Sequence, residues 1–501
     1  MGSLPLNSLL PLDPETFSME SSSVVDFLSN YYGNIDKFPV MPNTQPGSIR
    51  KLLPPAAPEL GDSIDTILDD VQKVILPGLT HWQSPSFFAY FPANASTAGF
   101  AGEMLSAGLN VVPFVWMASP AATELEQVVV EWMAGLLGLP ERFHFGGGGG
   151  GVLHASTCEA VVCTLAAARD RALAELGHAS IVKLVVYASD QTHATFQKGA
   201  SIVGIPPANF RVLRTTASSG YGLTGDAIRR AVEEDVAAGM VPLYLCATIG
   251  TTGVGAIDRV RELGHVARHY GMWMHIDAAY AGSAAICPEF RGHLDGAELA
   301  DSVSMNPHKW FLTNMDCCCL WVAKPTTLTS ALSTDPEYLK NVSGNGASKT
   351  TTTEETAIDY KDWQIALSRR FRAIKLWVVL RRYGAAGMRE YIRNHVRMAE
   401  WFERAVRADE RFEVVVPRHF SLVCFRLRPR LVEGKVVEAP NRELLNAVNA
   451  SGRAFMTHFI VDGKFVIRLA VGGPMTEMRH LRDAWDLIKE KANQLLAQTV
   501  N

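Results

Sequence analysis

The most specific chemistry in the chain lies in two residues, Asp277 and Lys309. Lys309 stands in DSVSMNPHKW (Asp301 to Trp310), just past a short run that reads as a strand, and the preceding Pro307 and His308 argue for a fixed turn. A lysine held there can be desolvated, which lowers its pKa and makes its amine a nucleophile toward carbonyl carbon. Taken alone, it equally fits the solvated surface charge that most lysines are. Asp277 closes the apolar strand of HIDAAYAG. A carboxylate at that place is unfavourable unless it meets a cation, although a strand-end turn or helix cap would also use an aspartate. The protonated nitrogen of a pyridine ring is such a cation, and an acid that keeps it protonated lets the ring accept electrons from a substrate carbon. Together the amine and the acid describe a site for pyridoxal 5′-phosphate (PLP).

Other features add to the pair. Six glycines, Gly146 to Gly151, precede Ser156-Thr157-Cys158 at a helix start. Backbone amides and the helix dipole can hold a phosphate there, and a flexible surface loop is the plainer reading of the glycines. The run satisfies Gly-x-Gly-x-x-Gly trivially. A dinucleotide fingerprint needs a strand directly before it, and Leu139 to Phe145 makes a poor one. His193, in YASDQTHATF, follows a strand ending at Tyr187, so its imidazole can stack on a cofactor ring or be a satisfied, partly buried histidine. Cys317, Cys318 and Cys319 are consecutive in an apolar run. Neighbours in a strand point to opposite faces, so they read as buried core residues rather than as one metal site.

The elements that must position these groups alternate. Ile181–Tyr187, Pro242–Ile249, Met272–Ile276 and Cys317–Val322 read as buried strands, with helical stretches such as Asp258–Tyr270 between some of them. That alternation predicts a mainly parallel sheet with helices on both faces, with functional groups at the carboxyl ends of its strands. Upstream, Glu124–Leu137 and Ser156–Leu176 read as helices, and the spacing of Ile64, Ile67, Leu68, Val71 and Ile75 predicts another over Asp62–Ile75. An N-terminal segment with few strands of its own would pack on something larger, such as a second copy of the chain. Downstream, helices over Arg369–Tyr383 and Ala386–Asp409, strands over Phe412–Val416 and Leu422–Leu427, and a hairpin turning at Asp462-Gly463 predict a smaller α+β domain. Ser343–Glu355 has no anchoring apolar side chain and reads as a mobile loop or a linker.

The 501 residues exceed one minimal core. A net charge of −4 suggests no polyanionic partner such as nucleic acid. Met1–Ser21 lacks the charge and apolar run of a signal or transit peptide, and no stretch is long enough to span a bilayer, so the cytoplasm is the expected location. Eight cysteines in so long a chain do not make a disulfide framework.

THWQSPSFFAYFP (Thr80–Pro92), ASPAATELE (Ala118–Glu126), SDQTH (Ser189–His193), ATIGTT (Ala247–Thr252), HIDAAYAGSA (His275–Ala284), NPHKW (Asn306–Trp310), DPEYLKN (Asp335–Asn341), DYKDWQIALSRRFR (Asp359–Arg372) and SLVCFR (Ser421–Arg426) occur in this order. The chain thereby resembles the group II PLP-dependent decarboxylases, specifically the plant tyrosine, dopa and tryptophan decarboxylases. The resemblance implies an α/β fold of the PLP-dependent transferase type I (aspartate-aminotransferase-like). A mainly parallel central sheet carries helices on both faces, and a smaller C-terminal α+β domain follows. It divides the chain into an N-terminal helical segment packing on a dimer partner (1–96), a large PLP-binding domain (97–378) and a small domain (379–501). Lys309 becomes the Schiff-base lysine, Asp277 the partner of the pyridinium nitrogen and His193 the residue stacked on the ring. Thr157, Cys158, Ser302 and Asn306 fall where the family binds phosphate. Thr252, Ala279 and His308 line the cofactor. Trp82, Tyr90, Phe91 and Pro92 match the substrate pocket, and Phe114 would enter it from the partner of a homodimer. Tyr338 matches the tyrosine that returns a proton to the α-carbon after CO2 leaves, where related aldehyde synthases carry Phe. Ser368 stands where Ser accompanies phenolic substrates and Gly indolic ones, although a serine there also reads as a helix cap. The chain departs from the family at His154-Ala155, in place of Gln-Gly, and at Pro113 and Val115. The implied reaction is decarboxylation of an aromatic L-amino acid, tyrosine or dopa before tryptophan. Tryptophan decarboxylation, oxidative aldehyde synthesis and a PLP-fold binder of little turnover remain as rivals, and a dinucleotide oxidoreductase rests on the glycine run alone.

Overall fold

A computed structural model describes residues 10–334, 357–432 and 435–498. Its centre is a seven-stranded sheet: β1 (Gly150–His154), β2 (Leu184–Ser189), β3 (Phe210–Leu213), β4 (Val241–Thr248), β5 (Trp273–Asp277), β6 (Ser302–Met305) and β7 (Cys318–Val322). The spatial order is β1-β7-β6-β5-β4-β2-β3. Strands β6, β5, β4, β2 and β3 pair in parallel, while β7 runs antiparallel to both neighbours, β6 and β1. Helices cover both faces, and two apolar clusters form there. Cys317 and Cys319 join one, and Cys318 joins the other, as strand alternation requires.

The sequence expectation for Ile181–Tyr187 starts too early, because His178–Lys183 winds into 3-10 turns before β2. The glycine run differs more. Gly150 and Gly151 open β1, so the strand follows the glycines rather than preceding them, the reverse of a dinucleotide-binding turn. A side chain at Gly147 or Gly149 would collide with the Glu141 or Arg142 carbonyl oxygen, and one at Gly150 would come 2.7 Å from the Phe145 ring. Gly147, Gly149, Gly150 and Gly151 are close-packed, whereas Gly146 and Gly148 face open space.

The C-terminal part adds a four-stranded antiparallel sheet, order β12-β13-β9-β8: β8 (Phe412–Val414), β9 (Leu422–Leu427), β12 (Thr457–Val461) and β13 (Lys464–Ala470). A separate two-stranded ribbon pairs β10 (Arg430–Val432) with β11 (Lys435–Val437). Strands β12 and β13 turn at Asp462 and Gly463, both with positive φ, as a tight hairpin needs. Arg372–Ala408 forms one long helical element kinked at Gly384. No helix among the described residues is long and apolar enough to cross a membrane.

Candidate active site

The carboxyl ends of β4, β5 and β6 and the amino end of the Thr157–Leu176 helix enclose a cavity of about 220 Å3. Its wall contains Lys309, Asp277, His193, Thr157, Cys158, Thr252, Ala279, Asn306, His308 and Phe91. Ten residues implied from separate sequence segments therefore meet in one space.

Lys309 lies in the four-residue helix Pro307–Trp310 that turns the chain back after β6. Its amine makes no hydrogen bond or ion pair among the described residues. Burial holds its pKa below the usual lysine value, with the Asp277 carboxylate opposing that shift. That shift runs in the direction that favours the amine as a nucleophile toward a carbonyl carbon. Asp277 is the last residue of β5 and is buried; its Oδ1 accepts the Ala279 N–H at 3.0 Å. His308 is buried behind Lys309. Its Nδ1 accepts the Cys317 N–H at 3.0 Å, and burial with the Lys309 charge lowers its pKa to about 4. It is neutral at physiological pH and donates only from Nε2.

The Thr157 hydroxyl donates to Asn306 Oδ1 at 3.0 Å, tying the helix amino end to the turn that carries Lys309. First-turn N–H groups and the helix dipole favour an anion here. A free amine, a carboxylate and an anion-seeking helix end around one cavity are the donor set that an aldehyde with a pyridine nitrogen and a phosphate requires. The residues present fit PLP.

Ser302, Phe114 and Ser368 do not line the cavity. Ser302 begins β6, at the end remote from Asn306. Its Oγ is taken by Trp273 Nε1 and His275 Nδ1, each at 2.8 Å, so the hydroxyl is not on the cavity. Phe114 does not line its own chain's cavity; its carbonyl accepts the Lys361 N–H at 2.8 Å. Ser368 is exposed and four residues short of the helix that starts at Arg372, so it is not that helix's cap. Tyr338 lies outside the described residues.

The aromatic segment divides. Phe91 is buried on the cavity and stacks on Tyr280 with ring centres 3.6 Å apart. Trp82 and Tyr90 are exposed and stack on each other at 5.5 Å, forming an outer ledge. Pro92 is buried against Gly472.

Ser156, of the helix start read as a phosphate site, also lines the cavity; sequence reasoning did not assign a role to Thr195, Thr248, Gly250 or Tyr280, which line it too. Tyr280 follows Asp277 closely, and an aromatic residue just past a strand-end acid was the available signal. Arg468 was missed as well. It is 3% exposed, and its guanidinium donates to Gly253 O at 2.9 Å, Thr457 Oγ1 at 2.7 Å and Tyr90 O at 3.3 Å. It lies 5.5 Å from the Phe91 ring centre, joining β13 to the cavity wall.

The pyridoxal-dependent decarboxylase conserved domain matches residues 46–428. The chain is 54% identical to tyrosine decarboxylase 1 of Narcissus pseudonarcissus over 98% of its own length and 95% of the relative's. It is also 54% identical to phenylacetaldehyde synthase of a Rosa hybrid cultivar, over 97% of this chain and 96% of that one. Among solved structures, Catharanthus roseus tryptophan decarboxylase in complex with L-tryptophan superposes with a TM-score of 0.91 at 50% identity, covering 97% of this chain and 99% of that one.

Proposed function

The chain belongs to the pyridoxal-dependent decarboxylase family, and we propose that it converts tyrosine or dopa to the corresponding amine and CO2. The observation that carries this reading is the Lys309–Asp277 pair in one cavity with an anion-seeking helix end. Bound PLP supplies an electron sink for the bond that breaks when CO2 leaves the α-carbon. Lys309 would hold the cofactor aldehyde. Asp277 would keep the ring nitrogen protonated. Thr157, Cys158 and Asn306 would hold the phosphate, and His193 would cover the ring. Thr252, Ala279 and His308 would shape the cofactor wall, with Phe91 and Tyr280 excluding water from it. Trp82, Tyr90 and Pro92 would receive the aromatic side chain.

The same reading includes a homodimer. The Pro14–Gly33 helix buries none of its residues, and Phe17, Met19, Met104, Leu105 and Leu109 are exposed. Apolar surface on this scale suits a partner subunit, and Phe114 and Ser368 would serve the partner's pocket. A solution mass of twice 54.7 kDa would support this part.

The experiment is an equimolar mixture of tyrosine, dopa, tryptophan and phenylalanine with PLP-loaded enzyme, and products identified by mass. Tyramine and dopamine are expected. Tryptamine as main product would move the substrate, and aldehyde with peroxide would replace the reaction. Lys309→Ala should abolish turnover and the absorbance of protein-bound PLP; full turnover in that variant would end the assignment.

A further inference from the structure

His193 does not stand alone beside the cavity. Its Nδ1 lies 2.8 Å from the Thr195 hydroxyl and 3.1 Å from the Thr195 backbone nitrogen, whose N–H donates to it. Thr195 is the first residue of the Thr195–Ile202 helix, and the cap residue Ala194 has no side chain to serve that helix end. The Thr195 N–H is thus one of the helix donors that lack an intrahelical acceptor, and the imidazole serves it. We infer that Thr195 is a positioning residue that holds His193 as the neutral imidazole with its proton on Nε2, resting on the decarboxylase reading above for what that proton does.

The backbone N–H decides the form. A hydroxyl can donate to Nδ1 or accept from it, so the Thr195 side chain alone fits either state. A backbone N–H can only donate. A proton on Nδ1 would oppose it at 3.1 Å, and the ring would turn away. With the N–H fixed as donor, Nδ1 keeps its lone pair and the hydroxyl donates to it as well. The single remaining N–H, at Nε2, is left for the cavity. The helix amino end adds positive potential that disfavours an imidazolium. The charged groups facing the ring are Lys309, from the turn after β6, which opposes protonation, and Asp277, at the end of β5, which favours it. Burial works with Lys309.

A neutral ring matters because an imidazolium over the cofactor ring would share the cavity with the Lys309 amine and compete for Asp277. It also sets the proton inventory. The ring then offers one N–H, at Nε2, where an imidazolium would carry two. Thr195 is therefore assigned to the acid limb of the reaction.

The test compares Thr195→Val, which removes the hydroxyl but keeps the backbone N–H, with Thr195→Ser, which keeps both. Two readouts are taken on full-length protein. One is the pH dependence of diethylpyrocarbonate modification of the peptide carrying His193, by mass, after PLP removal. The other is the acid limb of kcat/KM in the PLP-loaded enzyme. Losing one donor to Nδ1 should ease protonation about fivefold, moving both midpoints up by about 0.7 pH unit. Thr195→Ser should leave both in place. A midpoint that stays or falls in Thr195→Val would overturn the inference, since a hydroxyl that accepts from the ring gives the opposite sign. Should the Val variant fail to fold, Thr195→Ala carries the same expectation. If the unaltered enzyme turned over no aromatic amino acid, the proposed reaction would fall, and the modification readout would still decide the form of His193.

Discussion

Glu126→Ala should loosen the whole strip that carries Ser368. Glu126 Oε1 and Arg369 Nη2 are 2.7 Å apart, with side-chain exposures of 1% and 0%. The same carboxylate oxygen accepts the Leu153 N–H at 2.7 Å, and Arg369 also donates to Leu153 O at 3.0 Å and Gln364 Oε1 at 3.1 Å. The guanidinium lies 4.7 Å from the Tyr360 ring centre. The pair therefore nails the segment before the Arg372 helix to β1 and to the Pro120–Leu137 helix. Truncating one member leaves a buried, uncompensated guanidinium, which destabilises by about 3–5 kcal/mol. Removing both charges as Glu126→Met with Arg369→Met should recover most of that loss, because the penalty comes from the stranded charge. The assay is a double-mutant cycle of Glu126→Met and Arg369→Met in urea, with Glu126→Ala measured beside it, followed by tryptophan fluorescence and by release of bound PLP. A Glu126→Ala loss under about 1 kcal/mol, or a double variant no better than the single ones, would refute the reasoning, since the values would then lie in the range of an exposed pair.

Three further outcomes follow. Tyr338→Phe should shift product from amine toward aldehyde, checked by mass and by peroxide release; unchanged amine output would remove Tyr338 from the proton step. Ser368→Gly should raise the tryptophan-to-tyrosine ratio of kcat/KM several-fold in the competition assay, and an unchanged ratio would take Ser368 out of substrate choice. Acidification should destabilise the fold. Burial lowers His275 and His308 to about 4 and His395 to about 3, so each enters the folded state uncharged. The unfolded chain binds these protons from about pH 6.5 downward, and stability falls by about 1.4 kcal/mol per pH unit for each histidine between there and its folded pKa. Asp258, raised to about 7 by burial, has the opposite slope between about pH 4 and 7 and offsets one of the three. Urea midpoints measured from pH 8 to pH 5 should therefore decline, and a flat profile would contradict the burial argument.

What the sequence made legible follows from what side-chain patterns encode. Lys309 and Asp277 were readable because a charge beside an apolar strand needs a partner, and each sits where a parallel sheet places its functional groups. The reversal of β7 was not readable, because alternation and hydrophobicity carry no strand direction. Glycine was misleading for a related reason. A residue without a side chain reads the same whether it is free or, as at Gly147 and Gly149, so close to neighbouring carbonyls that a Cβ would collide. Ser302 shows the limit of a motif match. It stands close to Asn306 in sequence, but a strand separates them, and the hydroxyl at its far end serves His275 and Trp273 instead.

Arg468 sharpens the point about domains. In KFVIRLA an arginine within an apolar strand reads as a solvent-facing charge, because alternation puts it on one face without saying what covers that face. The cover is the cavity wall itself. No carboxylate reaches Arg468 among the described residues, so its charge is met by the Gly253 and Tyr90 carbonyls, the Thr457 hydroxyl and the Phe91 ring. These partners come from the aromatic segment, from the loop containing Thr252, and from β12. A cation so buried is held only while all of them stay in place. The small sheet thus fixes the outer ledge and the cavity wall relative to each other, and the cavity depends on the C-terminal strands although Lys309 and Asp277 come from the central sheet.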